Sequence, residues 1–147
     1  QERQVRVHWQ LREASGRVKE SHTLNLTVSA LSSYWMERVP LQYADTYQDY
    51  VSYELEEEGE TLSAGSVLFC APKHFRFQDP QLKVEALSGD EILVTACAYA
   101  KSVEILNGDD TMLLEDNCFD MNPGSRKIRV LRGEPAQLRV RSVYDIR

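Results

Sequence analysis

The stretch LLEDNCFDMNPG at residues 113–124 decides how the chain is predicted to fold. A strand-like pair of leucines runs into an Asp-Asn step, an aromatic residue follows, and a Pro-Gly step precedes the next alternating run. Asp and Asn side chains bond nearby backbone and tolerate left-handed geometry, and Pro-Gly steps are turn signals. The stretch therefore predicts a strand that ends in a turn, a phenylalanine buried as an anchor, and a new strand. The residues of this motif are Asp116, Asn117, Phe119, Pro123 and Gly124.

Apolar and polar residues alternate on both sides of this motif. A period of two is typical of strands with one buried face, and no amphipathic helix of comparable length is visible. Short strands separated by turns predict an all-β fold, an antiparallel β-sandwich. Alternating runs lie at residues 5–11, 24–30, 51–55, 67–71, 82–86, 92–98, 103–105, 112–114, 128–130 and 138–143.

Turn signals organise these runs into domains. Asn107 and Gly108 form the strongest hairpin signal, because both turn positions tolerate a positive φ. Pro72 and Pro80 bracket a connector without alternation, and proline cannot donate to a strand ladder.

The connector predicts a boundary between residues 1–74 and residues 75–147. The second part has enough strands to close a sandwich, whereas the first has too few and is expected to be a partial domain whose N-terminal strands are missing. The strands of the first part are alternatively an extension of the second sandwich.

The charge balance and the short apolar runs argue against two classes of partner, nucleic acid and membrane. The chain has 147 residues, a net charge of -6 and a pI near 5.1. Nucleic-acid affinity comes mainly from Lys and Arg neutralising phosphates, and the arginines near the C-terminus alternate with apolar residues as on a solvated strand face. The apolar runs are far shorter than the roughly 18 residues of a membrane span. Neither nucleic acid nor membrane is predicted as a partner.

Cysteine usage favours a reducing compartment. Cys70, Cys97 and Cys118 are isolated, without the C-x-x-C spacing of zinc sites. Cys97 lies in an apolar run and is predicted to be a small core residue. A bacterial cytoplasm suits this pattern best, with a secreted or periplasmic parent as the alternative. The sequon at Asn25 matters only in a glycosylating pathway.

The charged side chains offer no catalytic or cofactor pattern. The histidines lack metal-ligand spacing, and no nucleophile motif or phosphate-cradling glycine loop is present. No cofactor and no metal are predicted. A calcium site is an alternative at one group of carboxylates, although the D-x-D-x-D-G spacing is missing. That group is Asp109, Asp110, Glu115, Asp116 and Asp120.

Aromatic residues concentrate in an irregular segment. Carbohydrate-binding modules stack sugar rings on exposed Trp and Tyr, whereas aromatic residues also anchor interfaces between domains. Both uses stay open, with packing against a neighbouring domain favoured over sugar binding. Trp9 and Tyr53, in contrast, alternate with polar residues and are predicted to point into the core. The candidate contact residues are Tyr34, Trp35, Tyr43 and Tyr47.

The segment DNCFDMNPG closely resembles the "DN-x-F-D-x-x-P-G" segment in the last β-sandwich of family 2 glycoside hydrolases, the β-mannosidase branch in particular. Other segments resemble the same family in the same order. They are VRVHWQL with Gly16, VSALSS at residues 28–33, LSAGSVLF at residues 62–69 with Pro72 and Lys73, and LRVRSVYDI at the C-terminal end.

This resemblance implies two consecutive immunoglobulin-like sandwiches behind a TIM-barrel catalytic domain. It implies a retaining glycoside hydrolase as the parent, with two catalytic glutamates on the barrel. Neither glutamate has a counterpart in this chain, so the fragment is expected to be a non-catalytic accessory region. The charged start of the chain, almost directly in a strand, is what a cut inside a longer protein would leave. Its expected partners are the upstream catalytic domain, a carbohydrate in the alternative, and a second copy through an unpaired sheet edge.

Overall fold

The computed structural model describes residues 2–36, 41, 43–109 and 111–146. Within these ranges the regular structure is almost entirely antiparallel β-strand, which confirms the all-β fold predicted from alternation. The exceptions are a single 3-10 turn at Pro72–His74 and a short helix, α1, at Val143–Ile146.

The chain divides into two compact units. The first comprises Gln1–Glu13 and Arg17–Phe75. The second comprises Arg76–Arg147 together with the three residues Ala14–Gly16.

The described part of the first unit forms one four-stranded antiparallel sheet in the order β2-β1-β3-β4. Its tight turn at Glu58 and Gly59 places the acidic run of residues 56–60 at a hairpin tip. The strands are β1 (Arg3–Glu13), β2 (Val18–Val28), β3 (Asp49–Glu57) and β4 (Glu60–Leu68).

The two faces of this sheet differ sharply in polarity, because neighbouring strands pair in register. Val7 lies opposite Leu24 on one side and Leu55 on the other, and the ring of Trp9 stacks on His22 at 4.1 Å between centroids. This side is called the apolar face below. Its apolar residues are Val5, Val7, Trp9, Leu11, Leu24, Leu26, Val51, Tyr53, Leu55 and Val67. The opposite, polar face carries Arg6, His8, Gln10, Thr23, Asn25, Glu54, Glu56 and Ala64.

The second unit is a sandwich of two sheets. One sheet has the order β5-β6-β10-β8 and the other β11-β7-β9. Inward-facing residues of both sheets form one core, because side chains alternate between faces along each strand. The strands are β5 (Lys83–Ala86), β6 (Glu91–Ala96), β7 (Ala100–Leu106), β8 (Leu113–Leu114), β9 (Phe119–Met121), β10 (Gly124–Arg132) and β11 (Arg139–Arg141). The core residues are Ile92, Val94, Ala96, Ala100, Val103, Ile105, Phe119, Met121, Ile128 and Val130.

The hairpin predicted at Asn107 and Gly108 is wrong. Strand β7 pairs with β9 and β11, whereas β8 pairs with β10 in the other sheet. The chain therefore crosses between sheets at this point. Asn107 Oδ1 accepts a hydrogen bond from the backbone N of Ala136 at 2.7 Å, and its Nδ2 donates to the carbonyl of Glu134 at 3.1 Å. The Asn107 side chain, whose residue type suggested a tight turn, instead forms hydrogen bonds with the loop that precedes β11.

Three further residues differ in burial or in secondary structure from what the alternation predicts. Cys97 is exposed rather than in the core, because β6 ends at Ala96. Tyr53 lies on the apolar face but is exposed. Val143 begins α1 instead of extending the last strand. The carboxylate of Asp145 accepts a hydrogen bond from the backbone N of Ser142 at 2.7 Å, a capping bond that favours a helical turn over a strand.

Candidate functional site

The motif residues of the second unit form a turn. The side chain of Asn117 joins this turn to strand β7 by hydrogen bonds. Asn117 Oδ1 accepts a hydrogen bond from the backbone N of Ile105 at 2.8 Å, and Asn117 Nδ2 donates to the carbonyl of Ile105 at 3.1 Å. The amide thus makes the two bonds that a strand residue would make. The same Oδ1 accepts the backbone N of Cys118 at 3.0 Å, where φ is +63°. Asn117 therefore lets the chain turn at Cys118 without leaving Ile105 unpaired.

Asp116 has a different partner from the nearby backbone that the sequence pattern predicts. Its Oδ2 lies 2.5 Å from the guanidinium of Arg126, and that guanidinium also sits 4.1 Å above the centroid of the Phe119 ring. Phe119 itself is buried in the core and lies opposite Val103. Arg126 thus covers the outer side of the Phe119 ring with its charge neutralised. The alternation pattern predicted Arg126 only as part of a solvated strand face.

Pro123 and Gly124 lie at the start of β10, where Gly124 pairs with Ala96. The ring of Pro123 packs against Gly16, which has φ of +86°. A Cβ atom at Gly16 would overlap the Cγ and Cδ atoms of Pro123. This position of the second unit therefore requires glycine for two independent reasons, backbone conformation and space.

The carboxylates proposed as a calcium alternative accept hydrogen bonds from the chain itself. Asp120 bonds Lys101 at 2.8 Å and the backbone N of Ser102 at 2.9 Å, and Glu115 accepts from the backbone N of Arg129 at 2.9 Å. Asp110 lies outside the described residues. Within the described ranges, no group of three His, Cys, Asp or Glu residues is placed to hold a metal ion.

Asp109 is held in its ionised form by its own turn. The side chain and backbone N of Thr111 donate to Asp109 Oδ1 at 2.7 and 3.0 Å, and these bonds lower the pKa of the Asp109 carboxyl. The local turn accounts for this charge without a metal.

The aromatic candidates of the first unit lie in the connection between β2 and β3, of which the structure describes residues 29–36, 41 and 43–48. Trp35 is 89% exposed and Tyr43 is 76% exposed. Tyr34 and Tyr47 are also exposed. All four therefore lie off the sheet, on an irregular segment, rather than on the surface of a strand.

A buried carboxylate anchors one part of this connection. Asp49, at the start of β3, is buried, and its Oδ2 accepts hydrogen bonds from Lys19 Nζ at 2.6 Å and from the backbone N of Asp45 at 2.7 Å. Lys19 Nζ also donates to the carbonyl of Tyr43 at 3.0 Å. The segment that carries Tyr43 and Tyr47 is thus fixed to the sheet while its rings face outward.

The comparisons with known proteins assign this architecture to a family. Residues 1–74 match the model of the mannosidase Ig/CBM-like domain, and residues 77–146 match the model of an Ig-fold domain of mannosidases. The chain belongs to the mannosidase Ig-like domain family. This confirms the resemblance to the C-terminal immunoglobulin-like domains of family 2 glycoside hydrolases, and with it the immunoglobulin-like sandwich as the fold class.

Solved structures share the fold of this mannosidase Ig-like chain at low identity. The β-D-mannosidase from Dictyoglomus thermophilum matches with a TM-score of 0.74 and 14% identity over 97% of this chain and 19% of that one. The exo-chitosanase CsxA from Amycolatopsis orientalis matches with a TM-score of 0.65 and 12% identity, over 97% of this chain and 23% of that one. The chain thus spans about a fifth of the length of these enzymes. No curated protein matches it.

In the part of the chain that the structure describes, no helix is long and apolar enough to cross a membrane.

We predict that Asn117→Ala destabilises the chain more than Asp116→Ala. Loss of the amide leaves two backbone groups of Ile105 without their partners, at a cost of about 1–2 kcal/mol. The Asp116 pair is a half-exposed ion pair, whose loss costs less than about 1 kcal/mol. Urea unfolding of both variants measures the difference, and equal losses would contradict the role assigned to Asn117.

We also predict that Gly16→Ala is more costly than Gly89→Ala. Gly89 has a similar φ of +85° but open space around its Cβ position, so the matched control isolates the overlap with Pro123. The positive φ costs about 1 kcal/mol at either site, and the overlap adds about 1–3 kcal/mol at Gly16. Thermal and urea unfolding report both values. A Gly16→Ala variant as stable as Gly89→Ala would show that Pro123 does not pack there.

Proposed function

We propose that this chain is a non-catalytic C-terminal accessory region of a family 2 glycoside hydrolase, which packs on and supports a TIM-barrel catalytic domain of the same polypeptide. The observation that carries the proposal is the pair of family matches, which follow each other in order along residues 1–74 and 77–146. The proposed domains are residues 1–74, as part of an Ig-like sandwich, and residues 75–147, as the C-terminal sandwich.

Several carboxylates of this chain form ion pairs within the fold. A retaining glycosidase needs two carboxyl groups about 5–5.5 Å apart, one of them held protonated as the general acid. In this chain, several carboxylates are committed to structural partners, as Asp49 is to Lys19, Asp120 to Lys101 and Glu104 to Arg141. In the proposal, the retaining, β-mannosidase-like activity resides in the barrel, where the family resemblance places both catalytic glutamates. A bacterial cytoplasm is the proposed location of the parent.

The exposed aromatic connection is the proposed contact with the rest of that polypeptide. Tyr34, Trp35, Tyr43 and Tyr47 expose large apolar rings with polar edges, the side-chain type that is enriched in the centres of interfaces. The anchoring of Tyr43 through Lys19 fixes part of this surface before any partner binds, which lowers the entropy cost of binding.

A carbohydrate-binding module is the second candidate. The observation that favours it is the exposure of Trp35, because sugar rings stack on open indole faces. An exposed, coplanar pair of aromatic rings on a sheet face would favour it further, whereas the four aromatic residues lie on an irregular connection.

Titration calorimetry separates the two candidates. The chain is titrated with mannose, mannobiose, mannan, cellobiose and galactose, and so are Trp35→Ala and the control Phe69→Ala, which removes another exposed ring outside the connection. The accessory role predicts no heat with any sugar. Binding that Trp35→Ala abolishes and Phe69→Ala leaves intact would replace it with the carbohydrate-binding role.

Stability measurements test packing directly. We expect Trp35→Ala to leave the unfolding temperature of the isolated chain unchanged, since the ring is exposed there, and to lower that of the full-length enzyme. An interface tryptophan typically contributes more than about 1–2 kcal/mol. Differential scanning calorimetry of both forms, with Phe69→Ala as the control, measures this contrast. Equal unfolding temperatures of the full-length enzyme and its Trp35→Ala variant would contradict the proposed contact of Trp35 with the rest of the polypeptide.

A further inference from the structure

We infer that Lys19 and Asp49 form a latch, which closes the segment at residues 43–48 onto strand β2 and opens locally while the sheet stays folded. All contacts of this latch lie within the first unit. The inference goes beyond the proposed function, because it concerns a conformational device of the chain itself and holds whether or not the connection contacts another domain.

A β-bulge in strand β2 determines the direction of the Lys19 side chain. Leu11 of β1 lies opposite Glu20, and the next residue, Arg12, lies opposite Val18, so Lys19 is an extra residue of β2. In an unbroken strand, neighbouring side chains point to opposite faces. Lys19 would then point away from the face that Leu11 and Glu20 share.

The carboxylate that Lys19 binds belongs to that other face. Asp49 pairs with Glu13, which lies two residues beyond Leu11 in β1, so Asp49 shares the face of Leu11 by register. A bulge re-aims a side chain and disrupts the ladder of hydrogen bonds where it occurs. Here it brings the ammonium group of Lys19 to a carboxylate that an unbroken strand would direct it away from.

Two donors converge on one buried oxygen atom of this carboxylate. Asp49 Oδ2 accepts hydrogen bonds from Lys19 Nζ at 2.6 Å and from the backbone N of Asp45 at 2.7 Å, and the Asp49 side chain is only 2% exposed. Lys19 Nζ also donates to the carbonyl of Tyr43 at 3.0 Å. A buried carboxylate that loses its cation carries a large desolvation penalty. The two charges therefore separate only when the segment lifts and water reaches Asp49.

The segment under the latch has the properties of a local opening unit. The carbonyl of Asp45 accepts hydrogen bonds from the backbone N of Gln48 at 3.2 Å and of Asp49 at 2.9 Å, and Asp45 Oδ1 accepts from the backbone N of Tyr47 at 2.8 Å. The rings of Tyr43 and Tyr47 are exposed, so they contribute little packing against the sheet. Segments with few buried apolar contacts open at a low free-energy cost while the core stays closed. Loss of the latch should therefore release this segment before it affects the strands.

Hydrogen exchange of individual amides, measured by NMR on the 147-residue chain, tests the latch. Lys19→Met removes the cation and keeps a side chain of similar length. We expect the amides of Asp45, Gln48 and Asp49 to exchange at least about tenfold faster, because a hydrogen bond to a charged group is lost and opening lets water solvate Asp49. The amides in the middle of β1 should change less than about twofold.

Two further variants serve as controls. Lys127→Met removes a lysine whose ion pair with Glu91 is exposed, and it should leave the exchange of the segment unchanged. Lys19→Met combined with Asp49→Asn removes both charges and keeps an acceptor for the backbone N of Asp45. This double variant should exchange more slowly at Asp45 than Lys19→Met alone, because no unpaired charge is left buried.

Three results would overturn the latch. One is unchanged exchange of the segment in Lys19→Met. The second is equal acceleration of the segment and of β1, or loss of the fold, since the ion pair would then hold the sheet itself. The third is a double variant that exchanges at Asp45 as fast as Lys19→Met. The measurement uses this chain alone, so its result is independent of the contact proposed for Trp35.

Discussion

The structure depends on one constraint, which is that a strand with one apolar face must bury that face against another layer. In the second unit the constraint is met within the chain. Strands β6 and β10 of one sheet and β7 and β9 of the other contribute the residues of a single core. Phe119 lies in that core at the point where the DN-x-F motif turns the chain. The motif therefore lets the chain turn at the edge of the sandwich, because Asn117 supplies the hydrogen bonds of a strand residue where the backbone turns.

The same constraint is not met in the described part of the first unit. Its sheet keeps an apolar face with open Val67 and Leu24, and its long connection presents Trp35 and Tyr43 to solvent. Exposed apolar surface of this extent marks interaction sites in soluble proteins. In the proposed accessory role, the remaining polypeptide of the parent enzyme covers this surface.

Alternation predicted the strands and the fold class, because the period of two is a local property that every half-buried strand displays. It could not predict which strands pair. Asn107 and Gly108 carry the strongest local hairpin signal, but β7 and β8 belong to different sheets and the Asn107 amide binds the loop at residues 134–136. The core position predicted for Cys97 was wrong for a related reason, since β6 ends at Ala96, two residues before the end of the apolar run at residues 92–98. The role of Arg126 was hidden because its two partners, Asp116 and Phe119, meet only after the chain turns.

In the accessory role proposed for this chain, its open surface is covered in the parent enzyme. Hydrogen exchange followed by mass spectrometry tests this role most directly, by comparing the isolated chain with the full-length enzyme. Amides in the connection at residues 29–48 and in strands β1 to β4 are predicted to exchange markedly more slowly in the enzyme, while the core strands β6, β7 and β10 keep the same rates. Identical exchange of the connection and of β1 to β4 in both forms would contradict the accessory role.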